Sequence, residues 1–141
     1  MRKNTKLQAG LFPAPVEILD VGSSRQLRWV LRDSATRREN MNVAWRFRVG
    51  DVVRIRLVND ARILHPMQHP IHLHGQRFLV VAVDGEPMRH LFWKDTALVP
   101  AGSTVDLLVE MMNPGTWMLH CHIAEHMESG MHMMFNVIPQ L

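Results

Sequence analysis

Residues 52–59 read VVRIRLVN, with apolar Val53, Ile55 and Leu57 alternating with Arg54 and Arg56. That alternation has the period of a β-strand, one face buried and the other wetted. RFLVVAV (77–83), TVDLLVEM (104–111) and HMMFNVI (132–138) are also short and strand-like, and LRWVLR (27–32) and VAWRFRV (43–49) add two earlier strands. Turn-forming clusters separate them: VGD at 49–51, DGEP at 84–87, PAGS at 100–103 and NPG at 113–115. Short strands at regular spacing between such breaks predict an all-β antiparallel sandwich or barrel. Only IAEHMES (123–129), ended by Gly130, reads as a short piece of helix.

A chain of 141 residues fits one domain and can bury a sizeable core. Pro13, Pro15 and Gly22 mark residues 1–25 as a lead-in segment or interdomain linker, which leaves 26–141 as the domain proper. No apolar run approaches the length of a membrane span. The opening MRKNTKLQAGLFPAPVEI has no continuous apolar core and does not read as a signal peptide as it stands. The single cysteine, Cys121, excludes an internal disulfide, so cysteine usage does not report the redox compartment.

Charge is uneven. Between Arg25 and Arg62 ten arginines face four acids, whereas from Ile63 onward three basic residues face seven acidic ones. Aromatic stacking residues are sparse and no recognition motif appears, so the basic half reads as a solvated strand face or domain-docking surface and not as a nucleic-acid site.

Six of the nine histidines fall into a pattern around Cys121. In HPIHLHG (69–75), His72 and His74 are two apart and share one face of a strand; His69 has the opposite parity, with Pro70 between weakening the inference. In HCHIAEHMESGM (120–131), His120 and His122 share a face and Cys121 points the other way. On the Cys121 side stand His69, His126 and Met131. Two imidazoles, a thiolate and a thioether suit electron-transfer copper, whereas zinc favours closed tetrahedra without thioether. On the other side His72, His74, His120 and His122 form an imidazole-only group of a kind suited to copper that meets oxygen, but too few to hold several metals. Something beyond this chain would complete it. His65, His90 and His132 lack such partners and read as structural. Met118, Met127, Met133 and Met134 read as core filling in preference to a copper-holding patch.

HPIHLHG and HCHIAEHMESGM, with the flanking FRVGDVVRIRLVN, DTALVPAGSTVDLLVE and NPGTWMLHCH, resemble the C-terminal cupredoxin domain of laccase-like multicopper oxidases over about residues 40–138. The resemblance implies a cupredoxin-like Greek-key β-sandwich or barrel with one short helix near the C-terminal copper loop. It implies a type 1 copper on His69, Cys121, His126 and Met131, a type 2 copper ligand in His72 and type 3 ligands in His74, His120 and His122. Electrons from a small reducing substrate (a phenol, an aromatic amine or a metal ion) would pass from Cys121 through His120 and His122 to a trinuclear site that reduces dioxygen to water. The family completes that site with histidines of an N-terminal cupredoxin domain, which this sequence does not contain, so the expected partner is such a domain or another copy of the chain. An extracytoplasmic location is also implied. Two other readings stay open at this point: a stand-alone blue-copper electron carrier, and a copper-storage domain.

Overall fold

A computed structural model describes residues 15–23 and 26–140. Twelve strands form two sheets packed face to face, and the only α-helix among the described residues is α1 (Ala124–Glu128). The first sheet is built from β1 (Val16–Ser23), β2 (Gln26–Asp33), β4 (Val52–Asn59), β10 (Thr104–Glu110), β6 (Phe78–Val83), β7 (Glu86–Pro87) and β8 (Trp93–Lys94), in the order β2-β1-β4-β10-β6-β7 with β8 also on β6. The second runs β3 (Trp45–Arg48), β12 (His132–Ile138), β11 (Gly115–Cys121), β5 (His69–Leu73) and β9 (Thr96–Val99). The chain crosses between the sheets repeatedly as it proceeds, which closes the sandwich into the Greek-key form expected of a cupredoxin.

Strand period two decides what each sheet buries. Val53, Ile55 and Leu57 of β4 meet Ile71, Leu73, Leu119 and Phe135 in one core, each at most 1% exposed. Each such side chain contributes about 1.5–3 kcal/mol when fully buried. Arg54 and Arg56 lie on the outer face, where the buried Asp106 of β10 accepts hydrogen bonds of 2.8 Å from each. Burial pushes the Asp106 carboxyl up, but the Arg56 and Arg54 guanidinium groups outweigh it and leave the pKa lowered. Arg28 and Arg32 likewise reach Glu39 at 2.8 and 2.7 Å. Part of the arginine excess is thus matched across the strands, as a solvated sheet face requires.

One boundary differs from the reading of the sequence. Val16–Ser23 was expected within a lead-in segment, yet it forms β1, antiparallel to β2 and parallel to β4, with Val16 and Ile18 fully buried. The nearby prolines fall before the strand, at positions 13 and 15, and Gly22 sits at the hairpin end, so neither interrupts the ladder. Residues 1–14, 24 and 25 of that segment lie outside the described residues.

β5 ends where the chain turns at Gly75, with φ at 72°. The ring of Trp117 from β11 lies against that backbone so closely that a Cβ would run into the indole. Gln76 then ties the turn to the β10–β11 loop, its Oε1 accepting from the Met112 amide at 2.8 Å and its Nε2 donating to the Asn113 carbonyl at 2.8 Å. Gly75→Ala is therefore expected to lower stability by about 2–4 kcal/mol, through overpacking and a disfavoured backbone. Urea unfolding of the variant checks this; a loss of a few tenths of a kcal/mol would show that Trp117 does not seat on residue 75.

Candidate metal centres

Both histidine-bearing strands lie side by side in the middle of the second sheet. β5 and β11 are antiparallel with His72 opposite His120 and Ile71 opposite Cys121. The alternation of β5 sends His69, Ile71 and Leu73 inward and leaves His72 on the outer face, and the proline at position 70 does not disturb it. Cys121 is fully buried on the inner side, while His120 lies on the other.

On the inner side the thiol Sγ of Cys121 stands 3.5 Å from His69 Nδ1 and 3.6 Å from His126 Nδ1. His126 is brought there by α1, which starts three residues beyond Cys121. The loop then folds back: the Met131 amide donates to the His126 carbonyl at 3.0 Å, and the Cys121 amide donates to the Met131 carbonyl at 3.1 Å. Met131 is fully buried beside the thiol-bearing strand. The three donor atoms lie within 4.8 Å of one another. Ligands at about 2.0–2.3 Å from one ion stand roughly 3.5 Å apart, so this set fits a shared metal.

Electrostatics agree with that fit. Burial, reinforced by the neighbouring His126, lowers the His69 pKa to about 4 against an opposing pull from Asp20. Burial also lowers His126, with Glu125 opposing. Both rings are neutral and offer a lone pair, as metal ligation requires. Burial pushes the Cys121 thiol up, so without a metal it stays protonated. The indole of Trp29, from β2 in the other sheet, stacks on His126 at 4.0 Å between centroids and meets His69 edge-on at 5.3 Å.

On the outer side His72, His74 and His120 bring one nitrogen each within 4.8 Å of the others. His120 Nδ1 is 2.8 Å from the Cys121 carbonyl and His72 Nδ1 is 2.8 Å from the Asp95 carbonyl. A carbonyl only accepts, so each Nδ1 carries the proton and each Nε2 is left as the acceptor or ligand atom. The Nε2 atoms of His74 and His120 approach to 3.0 Å. Burial, and then its neighbours His72, His120 and His122, lower the His74 pKa; for His120 burial again leads, partly opposed by the Cys121 carbonyl. His122 is exposed, its ring 5.7 Å from those of both His72 and His120, and it stays outside the tight trio. His74 is exposed as well, so the group opens to one side.

His65, His90 and His132 join neither group. His132 Nδ1 lies 3.3 Å from the Met127 carbonyl, and Met133 is fully buried as core. Several residues that shape the site carried no readable signal in the sequence. Trp29 reads there only as one residue of a strand. Asp20, in a segment taken for a lead-in, accepts the Leu64 and His65 amides at 3.2 and 2.8 Å and so fixes the loop leading to His69. Asp95 and Thr96, which orient His72, follow an unremarked loop.

Against known proteins, the family model described as "Multicopper oxidase" matches residues 12–141. A "Multicopper oxidase mco" of Staphylococcus epidermidis is 45% identical over 67 residues, which is 46% of this chain and 15% of the relative. Laccase-12 of Oryza sativa subsp. japonica is 33% identical over 93 residues, 58% of this chain and 16% of the relative. Among solved structures, the McoA multicopper oxidase of Aquifex aeolicus superposes with a TM-score of 0.68 at 25% identity, covering 98% of this chain and 31% of that one. The chain thus spans less than a fifth of these curated relatives and about a third of that solved chain. No described helix is long and apolar enough to cross a membrane.

The buried His69 makes the metal-free protein sensitive to acid. Its folded pKa near 4 lies below the ordinary 6.5, so its contribution is complete above about pH 6.5 and is lost as pH falls toward 4. Denaturant unfolding of the metal-free chain should show a loss of roughly 3 kcal/mol from this group across that window. His69→Gln should remove that part of the slope. An identical pH profile in the variant would place the acid sensitivity elsewhere.

Proposed function

Because the chain belongs to the multicopper oxidase family, we propose that it is the C-terminal-type copper domain of a laccase-like oxidase, turning over with a partner domain or chain. The observation that carries this reading is the thiol of Cys121 between two imidazole Nδ1 atoms at 3.5 and 3.6 Å, with an imidazole trio on the reverse of the same strand. His69, Cys121 and His126 would hold the type 1 copper, with Met131 as a weak fourth ligand. His72 would serve a type 2 copper, and His74, His120 and His122 the type 3 pair. Bound copper supplies reversible one-electron chemistry at the first site and, as a trinuclear set, the reduction of dioxygen to water.

What the chain's own residues contribute is connection and control. Cys121 is bonded through the backbone to His120 and His122, so the two groups share a short covalent route for electrons. The His120 Nδ1–H bond to the Cys121 carbonyl at 2.8 Å adds a shortcut from the peptide to the ring. The buried inner group keeps water from the thiolate, while the reducing substrate (a phenol, an aromatic amine or a metal ion) would deliver electrons at its rim. We read the domain as beginning at β1, and we place the protein outside the cytoplasm, following the family resemblance.

The outer trio calls for a partner. His74 and His122 are exposed, and the chain is about a third of the solved chain with which it aligns. An N-terminal cupredoxin domain, or a second copy meeting this one face to face, would complete the ligand set. The inner group, in contrast, is complete within the chain, which favours a stand-alone electron carrier as the second reading. Copper per chain and oxygen uptake separate the two: more than one copper with oxygen consumption for the oxidase assembly, a single copper without it for the carrier.

Loading with Cu(II) should turn the protein blue through thiolate-to-copper charge transfer. Cys121→Ser should abolish that band while shifting the unfolding midpoint little, because the bulk of the core lies in the strands. A Cys121→Ser protein that remains blue would remove the inner group from consideration.

A further inference from the structure

Histidines that ligate metals are ordinarily held by a hydrogen bond from the outer ring nitrogen to a carboxylate, carbonyl or water, which fixes ring angle and tautomer. The outer group follows that rule through the Asp95 and Cys121 carbonyls. The inner group departs from it. His69 is fully buried, and its Nε2 finds no hydrogen-bond partner among the described residues. Something other than a hydrogen bond must keep that ring turned with Nδ1 toward the thiol.

Trp29 meets that need. Its indole is stacked on His126 at 4.0 Å and 30°, and edge-on to His69 at 5.3 Å and 65°; the two imidazoles themselves stand 5.0 Å apart. One rigid ring therefore touches both imidazoles from the side opposite sheet. Its backbone is anchored toward both halves of the site. Across the β1–β2 ladder Trp29 pairs with Asp20, the residue that holds the Leu64 and His65 amides of the loop entering β5. On its other side the Trp29 carbonyl accepts from Asn40 Nδ2 at 3.3 Å, and Asn40 Oδ1 accepts the Leu31 amide at 2.9 Å. A Cβ on Gly130, the residue before Met131, would lie 3.2 Å from that same Asn40 nitrogen.

We infer that Trp29 is a positioning residue of the inner metal centre, holding the His69 and His126 rings by packing where a hydrogen bond would ordinarily do so. This rests on the reading of His69, Cys121 and His126 as a copper site. It assigns the β1–β2 hairpin a role beyond closing the sheet edge: it carries the wall of a centre whose ligands all come from the other side of the sandwich. Removal of outer-shell support to metal ligands commonly costs about 10–100-fold in affinity, and a loss in that range is expected here.

The test compares Trp29→Leu, Trp29→Phe and a control, Phe47→Leu, in the full polypeptide. Phe47 is buried in the same core, and its ring contacts among the described residues are with Trp45 and Phe135. Cu(II) affinity is measured by competition with a chelator, alongside the charge-transfer band, the copper hyperfine splitting and, in the metal-free protein, the ring-proton shifts of His126. The expected result is that Trp29→Leu loses tenfold or more in affinity, alters band and splitting, and moves the His126 protons downfield as the stacked ring current is lost. Trp29→Phe should restore most of each, and Phe47→Leu should leave all of them unchanged despite a lower melting temperature. A Trp29→Leu protein with native affinity and spectrum, or a Phe47→Leu protein changed as much as it, would overturn the inference. A native protein with no charge-transfer band would overturn the copper-site reading itself, and this inference with it.

Discussion

Successive side chains on a strand point to opposite sides of a sheet, and at Cys121 that rule makes two chemical sites out of one short segment. The thiol goes inward to His69 and His126; His120, one peptide bond away, goes outward to His72 and His74. A shift of one residue in the β5–β11 register would put Cys121 among the imidazoles of the outer face and His120 in the core. The register is held by the surrounding pattern. Ile71, Leu73 and Leu119 can be buried only if His72 and His120 are not on their side. The same apolar residues that form the core therefore decide which side chains gather with the thiol and which with the outer imidazoles.

Legibility followed the reach of the physics. Alternation in VVRIRLVN and HMMFNVI predicted strands that form at 52–59 and 132–138, because one wet and one dry face is a local property of sequence. The separation of Cys121 from His120 was readable for the same reason. The gathering of His69 with His126 was not a matter of spacing alone, since β5 and β11 need the sandwich to bring them side by side. β1 escaped because prolines at 13 and 15 suggested a linker, although the strand begins only at Val16 and its ladder to β2 runs unbroken from there. Trp29 and Asp20 were illegible as site residues. They act across the gap between two sheets, and nothing in LRWVLR or VEILDV marks which distant imidazole will lie beneath them.

The two candidate metal groups differ in how they are supported, and the difference tracks their surroundings. Outer-face rings have backbone carbonyls within reach, so polar contacts orient them. The inner rings sit in an apolar core where polar partners are scarce, and aromatic contact takes over. Each environment uses the contact that it can offer at low desolvation cost.

The candidate ligands on either side of the fold-back at Met131 are unevenly spread along the chain. His120, Cys121, His122 and His126 lie within seven consecutive residues, whereas His69 is separated from Cys121 by 52 positions. Under the proposed copper reading, that local quartet would still be open to a soft ion in a nascent or denatured chain, before β5 is in place. Metal bound to the unfolded ensemble offsets part of the stabilisation that native binding confers. Under that same reading, order of events would matter during biogenesis: a chain that folds first would receive its ion into a finished, buried site, while one that meets the ion first would have to release a wrongly coordinated, locally satisfied complex in order to fold.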